Sequence, residues 1–449
     1  MAREKWASRL GFVLASVGSA VGLGNIWRFP FQTATNGGAA FLVVYLVAVV
    51  GIGIAALLAE FVVGRRANLN VIGAFEELGH PNWQIAGAIG LFGGFWVLSY
   101  YSVIGGWVIR YTLGSVFGGV VPWMGDPLAN PVEFFGVASA GPDAVAFHAA
   151  FMVLTIGIVA FGVEGGIEKA TKVMVPSIAV MLAGLAVFAS TLPGAGAGYA
   201  YFLSPDLGAL LGNLGNVIPA AVGQAMFSLS LGFGVMITYA SYIGDDDNLG
   251  TDGLSIAFFN TLIGVLAGLV VFPLLFAQNV SPETAGPGAV FVSVPTALAE
   301  LPAGSILGLV FFGVVLIAAL SSAISLLEVV TSYLIDNYAI SRPQAATGLG
   351  LVIFVLGIPS ALDTAWLGWF DGIAVNVVLP LSLLLVVVYV GWVLAGDALD
   401  EVQRGTSGAA LLGPLWLWTV RTVVLVAILG TLLLGIRKLL VNGGLIPPF

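Results

Sequence analysis

Residues Gly18 to Arg28 read GSAVGLGNIWR and lie in the middle of the chain's first long apolar segment, where an uninterrupted helix would be expected. In hydrocarbon every exposed backbone N–H or C=O costs several kcal/mol, so a chain leaves the helical ladder at that depth only where it lines a protein cavity or coordinates something. The glycines therefore predict a binding site at mid-membrane, with freed carbonyls placed to hold a cation.

The membrane setting follows from composition: 59% of residues are hydrophobic, 8% are charged and the mean hydropathy is +1.06. These values describe an all-α polytopic membrane protein. Apolar runs at 8–35, 38–64, 84–118, 144–162, 172–192, 214–242, 252–277, 304–338, 346–362, 366–395 and 413–436 predict eleven transmembrane helices, with residues 437–449 as a tail. Arg3, Lys5, Arg9, Arg65, Arg66, Lys169, Lys172, Arg342 and Arg404 all fall on one side of that topology, and only Arg437 and Lys438 fall in the tail on the other. The positive-inside rule then predicts a cytoplasmic N-terminus and an extracytoplasmic C-terminus in the cell membrane. Residues 1–20 imitate a secretory signal, but the apolar core is short and cleavage would discard half of the broken helix.

The chain has no cysteine and two scattered histidines, His80 and His148, which excludes thiol chemistry, disulfides and a Cys/His metal site. No nucleophile–His–acid set is visible, so an enzyme is not expected. The net charge is −9, with Asp245, Asp246 and Asp247 in one loop. Such a balance fits either a salt-rich cytoplasm or ordinary solubilising loops, and nucleic acid is not an expected partner.

The sixth segment carries a second interruption, Gly223-Gln-Ala-Met-Phe-Ser-Leu-Ser-Leu-Gly-Phe-Gly234. It lies five segments beyond the first, so the two broken helices run in opposite directions. Paired breaks in matching positions predict a 5+5 inverted repeat with a midplane site, segments one to five (about 8–192) against six to ten (about 214–395), the eleventh being peripheral. Packing surfaces of small residues would also select these glycines, and two clusters in matching positions, both mixed with Asn, Gln and Ser, weigh toward the broken-helix reading.

Gly22-Leu-Gly-Asn-Ile-Trp-Arg-Phe-Pro30, Gly223-Gln224 through Ser228-Leu-Ser-Leu-Gly-Phe-Gly234, and Ala319-Leu-Ser-Ser322 resemble the motifs of the neurotransmitter:sodium symporters, from about Arg3 to Leu394. The resemblance implies sodium-coupled symport of an amino acid. One Na⁺ would take Ala20, Asn25, Ser228 and Asn260 together with the substrate carboxylate, which couples the two ligands through mutual linkage. A second Na⁺ would take the carbonyls of Gly18, Val21 and Ala318 and the hydroxyls of Ser321 and Ser322. The substrate would lie among Ala20, Gly22, Leu23, Gly24, Val97, Tyr101, Phe227, Ser228, Ser230, Phe233, Ser322 and Leu326. Monoamine members have aspartate where this chain has Gly22, so the substrate should bring its own carboxylate. The mostly apolar side chains in this set imply a neutral aliphatic or small aromatic amino acid.

By the same resemblance, Arg28 with Asp371 and Arg3 with Asp336 would be the two gates, with Trp6 and Tyr242 beside the latter. Tyr45, Gln224, Ser228 and Asn260 match chloride ligands. However, Gly264 stands where chloride-independent relatives have glutamate and chloride-dependent ones usually have serine, which leaves the chloride requirement open. Glu60, in the second segment, is expensive in the membrane unless paired, and backbone amides freed by the breaks are its expected partners. Glu328 has no partner identifiable from the sequence. A sensor or assembly subunit of the same fold, and an ion channel, are the other classes compatible with the composition. The oligomeric state is not encoded legibly.

Overall fold

A computed structural model describes residues 4–244, 247–282, 288–405 and 412–443. Among them there is no β-strand. The elements that build the bundle are α1 (Arg9–Ala20), α2 (Gly24–Thr35), α3 (Ala39–Ala67), α4 (Pro81–Phe117), α5 (Pro142–Ala160), α6 (Val163–Ser190), α7 (Leu214–Ser228), α8 (Val235–Ala240), α9 (Leu249–Ala277), α10 (Gly304–Asn337), α11 (Arg342–Leu362), α12 (Thr364–Leu394) and α13 (Gly413–Asn442). Nine helices among the described residues are long and apolar enough to cross a membrane, and α1 with α2, bent by 47°, makes a tenth. The run at 214–242, the remaining segment of the eleven expected, is in two pieces, α7 and α8.

Helix ends are set by local chemistry. Ser8 opens α1 by accepting the Gly11 N–H at 3.0 Å, Asn248 opens α9 by accepting that of Thr251 at 3.0 Å, and Asp363 opens α12 by accepting that of Ala365 at 2.8 Å. Three ends differ most from the hydropathy pattern, one being that of α13, which runs to Asn442 rather than 436. α6 begins at Val163 rather than 172 and α11 at Arg342 rather than 346. In both cases the first turns are polar, so hydropathy starts late although the helix does not.

The first break leaves the helix at Val21, in extended conformation, and resumes after Gly22. The second, residues 229–234, needs three residues at positive φ: Ser230 at 55°, Gly232 at 83° and Gly234 at 74°. A side chain at Gly232 would also meet the Leu379 carbonyl at 2.5 Å, so only glycine fits. Glu60, fully buried in α3, accepts the Gly232 N–H at 2.7 Å. It thus fills the supporting role expected of it. α1 packs on α6, α9 and α10, α8 packs on α3 and α10, and α4 runs along α10. The α13 helix sits at the periphery against α12 and α7.

At the N-terminal end of the bundle, Arg65 is completely buried. Its Nε lies 2.5 Å from Glu401 Oε1, and its other nitrogens donate to the carbonyls of Asp247 and Glu401. Removing one member of a buried pair costs about 3–5 kcal/mol, because the other is left desolvated. Arg65→Met or Glu401→Leu alone should therefore lower the thermal unfolding temperature in detergent more than the double substitution does.

Candidate functional site

The two breaks face each other across a small cavity. α4 contributes Val97 and Tyr101, α10 contributes Ser322, Ser325 and Leu326, and the breaks contribute Ser19, Ala20, Gly22, Gly24, Phe227, Ser230 and Phe233. All the expected substrate residues line it except two. Leu23 instead donates its N–H to the Tyr101 hydroxyl at 3.2 Å, and the Ser228 hydroxyl turns away to Tyr45 at 3.1 Å. Ser19 and Ser325 were not anticipated, and they change the character of the wall. One side is apolar (Val97, Phe227, Phe233, Leu326), but the other is a row of hydroxyls. The available signal was spacing, since Ser325 lies one helical turn beyond Ser322 and on the same face.

Oxygen atoms gather at two places beside this cavity. At the first, the end of the Asn260 side-chain amide lies 3.2 Å from the Ala20 carbonyl oxygen and 2.9 Å from that of Ser228, while Asn25 Nδ2 donates to the Asn260 carbonyl at 2.8 Å. Ala20, Asn25, Ser228 and Asn260 are thus brought together, with Ser228 presenting its carbonyl rather than the expected hydroxyl. At the second, Ser321 Oγ lies 3.0 Å from the Ala318 carbonyl oxygen and 3.4 Å from that of Val21, and Ser322 Oγ lies 3.5 Å from the latter. Gly18 backs this group, and a Cβ there would lie 3.4 Å from Ser321 Cβ. Both sets are neutral and the second is oxygen-only, a donor chemistry that suits a hard monovalent cation and not a soft transition metal.

Tyr45, Ser228 and Asn260 form one polar group, with the other end of the Asn260 side-chain amide 3.3 Å from Ser228 Oγ. Gln224 donates instead to the Gly24 carbonyl at 2.8 Å, holding the first break. Gly264 lies next to the first oxygen set, since a Cβ there would stand 3.6 Å from Asn25 Nδ2.

The expected gates differ from one another. Arg28 and Asp371 make no direct ion pair. The Arg28 guanidinium lies over the Phe227 ring, 4.6 Å from its centroid, and Asp371 accepts the Tyr100 hydroxyl at 3.1 Å. Ring and hydroxyl each occupy one member of the pair. Phe227 also meets Phe233 edge-on at 5.9 Å, so the rings close the cavity toward Arg28.

At the other end, Arg3 lies outside the described residues, as do Asp245 and Asp246. Asp336 accepts both the backbone and side-chain N–H of Asn70 at 3.1 Å. Trp6 donates to the Tyr239 carbonyl at 2.9 Å and packs edge-on against Tyr239 and Tyr242. Glu328, for which the sequence offered no partner, accepts the Tyr242 hydroxyl at 2.7 Å and pairs with Arg342 at 2.5 Å. Arg342 in turn reaches Glu4 at 3.0 Å.

Comparison with known proteins identifies the family. Residues 3–130 and 136–441 match the sodium:neurotransmitter symporter family. An uncharacterised sodium-dependent transporter of Methanocaldococcus jannaschii is 35% identical over 99% of this chain and 92% of its own length. Another, from Haemophilus influenzae, is 34% identical over 89% of this chain and 92% of its own length. The crystal structure of MhsT in complex with L-phenylalanine superposes with a TM-score of 0.86 at 43% identity, covering 96% of this chain and 99% of that one. Over nearly its whole length the chain belongs to the sodium:neurotransmitter symporter family, as a multi-pass, sodium-dependent membrane transporter of a small molecule and not an enzyme.

Proposed function

We propose that the protein is a Na⁺-coupled symporter of a neutral amino acid, working by alternating access with two Na⁺ sites. The observation that carries this reading is that one break, Ala20 to Gly24, supplies both the cavity wall and carbonyls of both oxygen sets. A substrate ammonium would meet the carbonyls of Ala20 and Phe227. Its carboxylate would lie against the backbone near Leu23 and Gly24, beside the Tyr101 hydroxyl, which accepts the Leu23 N–H. The same carboxylate would complete the shell of the ion held by Ala20, Asn25, Ser228 and Asn260, so each ligand strengthens the other. The amino acid in the MhsT complex is consistent with that class.

In this reading segments one to five (8–192) and six to ten (214–395) form the inverted repeat, with 413–436 outside it. The N-terminus is cytoplasmic, the 437–449 tail is extracytoplasmic, and the protein resides in the cell membrane. Two Na⁺ moving with a zwitterion through ~100 mV gain about 4.6 kcal/mol, enough for roughly thousandfold accumulation. A co-transported chloride, held by Tyr45, Gln224, Ser228 and Asn260, would about halve that gain. Replacing chloride by gluconate in the uptake assay decides whether it takes part.

Purified protein in proteoliposomes should concentrate a labelled neutral amino acid when Na⁺, but not K⁺, is outside. Sodium-dependent binding without uptake would instead identify a sensor of the same fold. Asn25→Ala should abolish Na⁺-dependent amino acid binding, and Ser321→Ala with Ser322→Ala should weaken Na⁺ affinity at least about tenfold, which is ~1.4 kcal/mol. Unchanged Na⁺ affinity in both would remove the assigned ion sites. A Cβ at Gly22 would lie 2.2 Å from Ser322 Oγ and 2.8 Å from the Tyr101 hydroxyl. Gly22→Ala should consequently overpack the site by about 1–3 kcal/mol and weaken amino acid binding roughly 5- to 150-fold in a thermal-shift titration.

A further inference from the structure

At the end of the bundle where α12 stops and α13 starts, the cations do not all have the same kind of partner. Arg65 and Arg404 face Glu401, and Arg66 faces Asp397 at 2.8 Å. Arg421, on α13, pairs with no carboxylate among the described residues. Its Nε donates to the Gly391 carbonyl of α12 at 2.6 Å, and that bond uses one of the five N–H groups of a guanidinium.

Both helices are adapted to this contact. α12 widens to i→i+5 bonding over Tyr389–Leu394, α13 does the same over Val420–Val424, and the two widened turns pack on each other. Gly391 permits the approach, since a Cβ there would lie 3.3 Å from Arg421 Cγ and 3.7 Å from Val420 Cγ1. Its carbonyl belongs to the last turn of α12, where carbonyls lack helical partners. Capping that turn accounts for Nε and holds the guanidinium in place. It leaves Nη1 and Nη2 without a protein acceptor among the described residues.

The level of Arg421 in the membrane says what lies beside it. α13 has 30 residues, about 45 Å of helix against ~30 Å of hydrocarbon. Arg421 comes about 12 Å after the start of α13 at Gly413, and Gly391 comes about 4.5 Å before the end of α12 at Leu394. The side chain is therefore at the edge of the hydrocarbon, within reach of the headgroups. Trp418, one turn ahead of Arg421, is 59% exposed, and Trp392, beside Gly391, is 47% exposed. Exposed tryptophans mark the same level, because their rings favour the boundary between acyl chains and headgroups.

We propose that Arg421 is the centre of a binding site for an anionic phospholipid, with Nη1 and Nη2 holding the phosphate and Trp392 and Trp418 against the apolar part of the molecule. Two parallel N–H groups match two phosphate oxygens. A zwitterionic lipid offers the same phosphate but brings a second cation to a site that already has one, so a headgroup of net negative charge is preferred. A free phosphate ion shares the oxyanion and lacks the part that the tryptophans contact. The site is remote from the cavity between the breaks and does not depend on the symporter reading.

The test is a thermal-unfolding titration of the purified full-length protein in neutral detergent, with phosphatidylglycerol, phosphatidylcholine and inorganic phosphate as separate additions. Phosphatidylglycerol should reach half-maximal stabilisation at a concentration roughly fivefold lower than phosphatidylcholine, the scale of one arginine at an anionic surface. Inorganic phosphate at the same concentration should not stabilise. In Arg421→Gln the ratio between the two lipids should fall to about one, and in Arg404→Gln, whose arginine already faces Glu401, it should stay. The ratio, unlike the unfolding temperature without lipid, is not moved by loss of the cap on Gly391. Arg421→Met, which keeps an apolar stem at this position, serves if Arg421→Gln does not fold. Equal response to the two lipids, a ratio that survives in the folded variant, or equal stabilisation by inorganic phosphate overturns the inference.

Discussion

Two stretches of backbone leave the helix inside a membrane bundle, and everything else about the site follows from how their polar groups are satisfied. Water is not available there in quantity, so other helices supply the partners. Glu60 from α3 takes the Gly232 N–H, Gln224 from α7 holds the Gly24 carbonyl, Tyr101 from α4 takes the Leu23 N–H, and Ser230 donates to the Ser19 carbonyl. Each of these bonds crosslinks a break to a separate element, so the irregular segments are held in place without helical hydrogen bonding. The carbonyls of Ala20, Val21 and Ser228 sit within reach of Asn260 and Ser321 side chains. In the proposed reading they are the groups offered to ions.

Those breaks could be read directly from sequence because glycine, asparagine and serine in an apolar segment contradict the surrounding pattern. Glu60 could be read for the same reason, as a charge in hydrocarbon demands a partner and the breaks provide unpaired amides. Helix starts marked by Ser8, Asn248 and Asp363 are likewise local chemistry. Glu328 could not be resolved in that way, because its partners, Tyr242 and Arg342, come from separate segments and only the packed bundle brings them together. Ser19 and Ser325 were hidden for a different reason. A serine in a membrane helix is ordinarily bonded to its own backbone, and nothing in the linear pattern says that these two point at each other. The separation of Arg28 from Asp371 depends on where Phe227 and Tyr100 put their rings, which is a property of packing rather than of residue type.

The two ends of the cavity are closed by unlike physics. Toward Arg28 the barrier is a pair of rings, Phe227 against Phe233, with a guanidinium resting on the outer one. Rotating one side chain opens that path and breaks few strong bonds. Toward the N-terminus the segment Glu4–Arg9 is fastened at several points. Glu4 bonds to Arg342 and to the Val163 N–H, Trp6 to Tyr239, Ala7 and Ser8 to Glu168, and Arg9 to Asp252. Each joins the N-terminal segment to a partner in the bundle, and Asp252, Glu168 and Tyr239 among these are buried. The contacts lie on one short piece of chain directly ahead of α1, so they form or break together.

For the proposed cycle this asymmetry has a mechanical consequence. α1 packs on α6, α9 and α10 and carries Ala20 and Val21 at its end, so any displacement of the N-terminal segment is transmitted to the ion-facing carbonyls. An ion bound between Val21 and the Ser321 and Ser322 hydroxyls would tie α1 to α10 and oppose that displacement. Its departure would remove the tie while the contacts of Glu4–Arg9 remain. The cation and the strap of polar contacts therefore act on the same short helix from its two ends, and release toward the N-terminal side requires both to let go, whereas the aromatic side can open while α1 stays where it is.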